Sequence, residues 1–244
     1  MSEVLTIMIL RQLKRYWRSK PRLFGSLAQP LLFLFALGFG FGPIYAQAGQ
    51  GNYMQFLSPG IIVMSVLFTA MFNGIEVIFD RQFGFLKETL VAPVSRTAIM
   101  FGKTLGGTAV ALIQGVIIFL ITLIVGFKPS LSGVLLGFVF LVIIALLFTS
   151  FGILIASRMT DMHAFPLIMN FIIMPLFFLS GALFPIKGLG IVPYFNPLTY
   201  GVDGFRGALI GTYAINPLIS LTVLLACTII VLFVGARFFS HSEA

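Results

Sequence analysis

Six apolar stretches, at residues 23–41, 56–79, 99–125, 131–157, 164–184 and 217–235, constrain this chain more than any other feature. Each approaches the roughly 20 residues with which a helix crosses a hydrocarbon core of about 30 Å. No charged residue stands at the middle of any of them. Hydrophobic residues make up 59% of the chain and charged ones 9%, well below the ~25% charged of soluble domains. Backbone amides in lipid must be satisfied within their own segment, so the reading is an all-α membrane protein with six transmembrane helices.

Charge placement orients these spans. With the amino terminus inside, the cytoplasmic side carries Arg11, Lys14, Arg15, Arg18, Lys20, Arg22, Arg81, Lys87, Arg96, Lys103, Arg158 and Arg237, and the other side only Lys128, Lys187 and Arg206. That bias predicts both termini in the cytoplasm. The net charge of +8 gathers at span ends, so its partner is membrane lipid and not nucleic acid. The first apolar stretch begins too far in, and lacks the small-residue pattern, for a cleaved signal peptide. A single cysteine, Cys227, allows no disulfide within one chain.

Residues 1–22 are too charged to cross. At about 100° per residue, Leu5, Ile9, Leu13, Tyr16 and Trp17 share one side, and Arg11, Lys14, Arg15, Arg18 and Arg22 the other. The pattern predicts an in-plane interfacial helix with Tyr16 and Trp17 at headgroup depth, broken at Pro21 before the first span.

Residues 185–216 contain Pro185, Pro193, Pro197 and many glycines among apolar residues, too broken for a span and too greasy for a solvated loop. The expectation is a re-entrant hairpin in which 188–194 dips in, Asn196-Pro197 turns and 199–210 forms a short helix. On that helix Asp203 and Arg206 stand at i and i+3, where they can pair.

Several chemistries find no support. Gly102-Lys103-Thr104 resembles the end of a phosphate-binding loop, but position 97 is Thr and the tripeptide opens a membrane helix. His163 and His241 stand alone at span ends, without the motif of a metalloprotease, and no serine-hydrolase elbow is present. Ion-coupled transport would place charge mid-span. Glu76, the most embedded acid, lies one turn from Asp80, within reach of water or Arg81, and Asn73, Gln114 and Asn170 suit interhelical hydrogen bonds. The chain reads as carrying no catalytic site, cofactor or metal of its own.

The longest internal polar segment is Asp80-Arg81-Gln82-Phe83-Gly84-Phe85-Leu86-Lys87-Glu88-Thr89-Leu90-Val91-Ala92-Pro93-Val94-Ser95-Arg96. A short helix fits between Gly84 and Ala92, ended by Pro93, with Phe85, Leu86, Thr89 and Leu90 to embed in a partner and Lys87 and Glu88 for salt bridges. This segment resembles the coupling helix between spans two and three in permease subunits of ABC-2 type exporters, with Gln82 and Lys87 standing where acidic residues are usual. A second resemblance joins residues 175–185, with Phe177, Phe178, Gly181, Phe184 and Pro185, to residues 196–206, with Asn196, Pro197, Tyr200, Asp203 and Arg206. These are similar to the family's fifth-span end and re-entrant loop.

The resemblance covers nearly the whole chain as one ABC-2 type transmembrane domain: an interfacial helix at 1–22, spans at 23–79, a coupling segment at 80–98, spans at 99–184, a re-entrant external segment at 185–216, and a last span and tail at 217–244. It implies a second permease copy, as a homodimer meeting through the first and fifth spans, and separate ABC ATPase subunits that hold ATP and Mg. It also implies residence in a bacterial inner membrane. Asp80, Arg81, Gly84, Phe85, Leu86, Lys87, Glu88, Thr89, Leu90 and Pro93 would couple to the ATPase. Asn170, Phe177, Phe178, Gly181, Phe184, Pro185, Asn196, Pro197, Tyr200, Asp203 and Arg206 would form the external gate or substrate path, with Pro166 and Pro175 kinking the fifth span.

Gly102 with Gly106, and Gly133 with Gly137, have the spacing of close helix packing and read as contacts within the protomer. An apolar interior favours a hydrophobic or amphipathic drug-like, lipid or lipid-linked glycan cargo moving outward. The same basic segment would also serve a membrane scaffold or assembly factor that docks a cytoplasmic protein without transport.

Overall fold

The computed structural model describes residues 2–47, 51–83 and 95–240. The described residues form nine α-helices and no strand: α1 Ser2–Arg18, α2 Lys20–Gln47, α3 Tyr53–Phe72, α4 Ile75–Gln82, α5 Arg96–Ile124, α6 Val134–Ser157, α7 Ala164–Phe178, α8 Pro197–Ile210 and α9 Pro217–Ser240. Five stretches are long and apolar enough to cross a membrane: Leu23–Gln47, Tyr53–Gln82, Thr97–Ile124, Leu131–Ser157 and Pro217–Phe238. The chain is an integral membrane protein with an all-helical fold.

Sequence punctuation sets the helix ends. Asn52 accepts from the Met54 amide at 2.9 Å and Ser95 from the Ala98 amide at 3.3 Å, capping the starts of α3 and α5. Gly211, at φ +78°, closes α8 in the left-handed conformation that glycine adopts without a Cβ penalty. The expected break near Pro21 falls at Ser19, and Pro21 occupies the second position of α2, where a missing amide costs nothing.

The middle of the bundle is α3. Its most apolar window is 83% buried, against 17% for α2 and 22% for α9. A helix that is apolar all round needs neighbours all round, and α3 has α2, α5, α6, α7 and α8. Glycines let backbones touch: the Met71 carbonyl lies where a Gly152 side chain would begin, and the Gly152 carbonyl does the same to Gly74. Beside this crossing the α3 helix yields to α4 at Asn73-Gly74, and Asn73 Nδ2 donates to the Gly107 carbonyl at 3.0 Å.

Two expectations change. The fifth apolar stretch is helical only over Ala164–Phe178, 15 residues, or about 22 Å at 1.5 Å per residue. Pro175 sits in its last turn, the Ser180 hydroxyl takes the Phe177 carbonyl, and Gly181 turns the chain at φ +79°. Of the two expected kink sites, Pro166 lies in the first turn, where its absent amide is harmless, and only Pro175 is interior. The second change concerns α1. Met8, Gln12 and Tyr16 are its buried face, packed on α5, while Trp17 is 68% exposed. Tyr16 therefore faces the protein, unlike Trp17: its hydroxyl donates to Gln114. Gly102 and Gly106 make this possible, since a Cβ there would strike Met8 and Gln12.

Candidate functional site

The helices bring some of the predicted residues together, at two ends of the bundle. At one end α4 closes with Asp80-Arg81-Gln82, and each side chain is anchored. The buried Asp80 carboxylate accepts from Arg11 of α1 at 2.9 Å and from Lys103 of α5, with Arg15 at 3.9 Å. Glu76, one turn earlier, faces Arg15 at 3.9 Å. Arg81 does not turn to Glu76: it donates to the carbonyls of Met159 at 3.2 Å and Ser157 at 3.0 Å, satisfying the end of α6. Gln82 donates to the Thr160 carbonyl at 2.7 Å.

A carboxylate at 4% exposure is stable only where it is paired. Asp80 is paired from two helices at once, which joins α1, α4 and α5 at the root of the polar segment. Gly84, Phe85, Leu86, Lys87, Glu88, Thr89, Leu90 and Pro93 lie outside the described residues.

Arg11, Arg15, Glu76 and Lys103 were not among the residues singled out for this end. Their signal is readable in retrospect: Arg11 and Arg15 are a basic i, i+4 pair, and Glu76 and Asp80 an acidic one, each on one helix face. Lys103 had been set aside with the false phosphate-loop tripeptide. Its partner lies 23 residues away in the sequence, beyond any helical periodicity.

At the other end α8 is almost wholly buried. Asn196 caps it, accepting from the Leu198 amide at 2.9 Å while donating to the Leu176 carbonyl at 2.6 Å, and Pro197 follows at the first helical position. Asp203 and Arg206 do not pair with each other. Asp203 accepts from the amides of Ala214 and Ile215, both at 2.9 Å. Arg206 donates to the carbonyls of Phe56 at 3.2 Å, Gly181 at 3.0 Å and Ala182 at 2.9 Å, with its guanidinium 3.9 Å from the Phe56 ring centre. The physical reason is that folded-back loops present orphan backbone groups, and the two charged side chains satisfy those instead. Arg206 thus ties α3, the turn after α7 and α8 into one closure.

The remaining predicted residues surround that closure without all converging. Phe177 is buried edge-on to Phe33 at 6.3 Å between centroids, whereas Phe178 and Phe184 are 40% and 43% exposed. Tyr200 donates to the Tyr194 carbonyl at 2.9 Å, holding the short 3-10 turn Val192–Phe195. Pro185 is exposed, and so is Asn170 on α7, which makes no interhelical hydrogen bond among the described residues. Asn73 and Gln114 do, Gln114 also receiving Ser26 at 3.2 Å. Among the described residues no three His, Cys, Asp or Glu side chains gather into a metal-binding group.

Comparison with known proteins places this architecture. The ABC-2 type transporter family matches residues 3–210. The protein named transport permease ycf38 of Cyanophora paradoxa is 31% identical over 83% of this chain and 72% of its own length. Nodulation protein J of Rhizobium leguminosarum bv. trifolii is 29% identical over 78% of this chain and 74% of its own. The inner membrane transport permease YadH of Escherichia coli is 33% identical over 66% and 64% respectively. A bundle of apolar helices pinned by ion pairs at one end and by a buried arginine at the other belongs to the ABC-2 type transporter family, and the chain is a transport permease.

Proposed function

We propose that the chain is the membrane subunit of an ATP-driven exporter, which forms the translocation path and receives its energy from separate ABC ATPase subunits through residues 84–94. The observation that carries this reading is the Asp80 junction. A segment pushed by a soluble partner moves the membrane helices only if its root is fixed to them, and Asp80, Arg81 and Gln82 fix it to α1, α5 and the end of α6. The reading puts that end in the cytoplasm, with both termini, and Arg206 outside. ATP and Mg sit on the ATPase, and the permease contributes no catalytic group.

A second copy completes the path. α2 presents Phe24, Leu32, Phe35 and Phe39, and α7 presents Leu167 and Phe171, all exposed. These two faces suit a homodimer seam. The turn after α7, locked by Arg206, closes the outer exit, and the cargo is a hydrophobic or amphipathic drug-like molecule, lipid or lipid-linked glycan. Leu86→Asp and Glu88→Arg are expected to insert normally yet abolish stimulation of the partner ATPase in reconstituted vesicles. Full stimulation in both variants would overturn the reading.

A further inference from the structure

The elbow between α1 and α2 holds positive charge that the Asp80 junction does not use. Arg11, Lys14, Arg15 and Arg18 line one cleft of about 790 Å³, bounded by Ser19 and Pro21 with Asp80 at its floor. The two nearby carboxylates, Asp80 and Glu76, are engaged by Arg11, Arg15 and Lys103. Lys14 and Arg18 have no ion-pair partner among the described residues. A concave site with excess cations on its walls attracts a phosphate-bearing anion.

Two further features decide which anion. The same helix leaves Ile7, Leu10 and Trp17 exposed at 64%, 48% and 68% beside the cationic wall. A bilayer interface satisfies both faces, whereas an acidic protein surface satisfies only one. A second cavity, of about 380 Å³, has a mainly apolar wall that includes Gly25, Pro30, Phe68, Phe72 and Ile75, with Tyr16 at the elbow and Ser26, Gln29 and Thr69 as its polar side chains. Gly25 and Pro30 lie one to three turns further along α2 than Pro21, about 6–14 Å deeper by helical rise. A headgroup in the cleft therefore has apolar space for a hydrocarbon chain on the same elbow.

We propose that the α1–α2 elbow is a binding site for an anionic membrane phospholipid, whose phosphate lies between Lys14 and Arg18 and whose acyl chain enters the apolar cavity beside Tyr16. The phosphate is held by Lys14 and Arg18, the two cations of the cleft that the Asp80 junction does not engage.

Trp17, the single tryptophan, is a built-in reporter beside Arg18. The full chain in phosphatidylcholine vesicles is titrated with brominated-chain phosphatidylglycerol or brominated-chain phosphatidylcholine, and Trp17 quenching is read. Phosphatidylglycerol is expected to be preferred about tenfold, with Lys14→Gln and Arg18→Gln each lowering the preference about fivefold. Neither side chain has an ion-pair partner among the described residues, so neither change removes a contact of the fold. Lys20→Gln removes the same charge outside the cleft and should leave the preference nearly unchanged. Equal quenching by the two lipids would overturn the proposal, as would a loss in Lys20→Gln as large as in Arg18→Gln, which means diffuse surface charge. Abolition by inorganic phosphate at constant ionic strength would reassign the cleft to free phosphate. Abolition by saturating partner ATPase would reassign it to an acidic protein face.

Discussion

Arg206 and Asp80 are both buried charges, and they are stabilised in different ways. Arg206 spreads its guanidinium over three carbonyls and the Phe56 ring, a planar fork that a lysine ammonium cannot reproduce. Arg206→Lys is therefore expected to lower stability by about 2–3 kcal/mol, because charged hydrogen bonds are lost while the charge stays buried. Thermal unfolding of the purified protein in detergent reads the change. Asp80 is matched by cations. Asp80→Ala strands Lys103, a buried ammonium, and should cost about 3–5 kcal/mol. Asp80→Ala with Lys103→Met removes both charges and should recover most of that loss, so the pair couples strongly in a double-mutant cycle. Additive losses would mean that the two charges act independently. The sequence placed Asp203 and Arg206 one turn apart and suggested an ion pair. Spacing reveals which side chains can meet, but not that folded-back backbone at 181–182 and 214–215 offers each a better partner.

Among the elements, α1 shows best what periodicity can and cannot tell. Its amphipathic pattern and its break before the first span were legible from charge spacing and Pro21. Which face is buried was not, because the face is chosen by Gly102 and Gly106 on another helix. A Cβ at Gly106 would lie 2.9 Å from the Gln12 side chain, so Gly106→Leu should displace α1 from α5. The expected result is a protein that inserts normally but has increased protease access to residues 1–18 and weakened coupling to ATP hydrolysis. Gly133→Ala is a harsher change, since its Cβ would meet the Ala208 carbonyl, which is backbone and cannot swing aside. Overpacking of this kind costs about 1–3 kcal/mol, and should appear as a lower unfolding temperature with α8 loosened from α6. The break of the fifth stretch at Phe178 was partly readable in Pro175 and Gly181. Hydropathy alone ran through it, because the turn that follows is itself apolar and buried.

For the molecule as a whole, most of the fold followed from the length of its apolar stretches. The junction that joins its parts did not, because it depends on residues 11, 80 and 103 meeting across three helices. A permease built in this way has one end pinned by the ion pairs of Asp80 and the other tied together by the hydrogen bonds of Arg206. The proposed seam between copies can be examined directly: with Cys227→Ser as background, cysteines replacing Phe35 and Phe171 should cross-link two chains, whereas one replacing Ile230 on α9 should not.

Under the proposed function, residues 84–94 meet the ATPase on the cytoplasmic side. A photo-reactive amino acid is placed at position 88, or at position 195 on the opposite end, in membranes containing the partner ATPase. Capture of the ATPase from position 88 and none from position 195 is the predicted result; capture from position 195, or none from position 88, would contradict it.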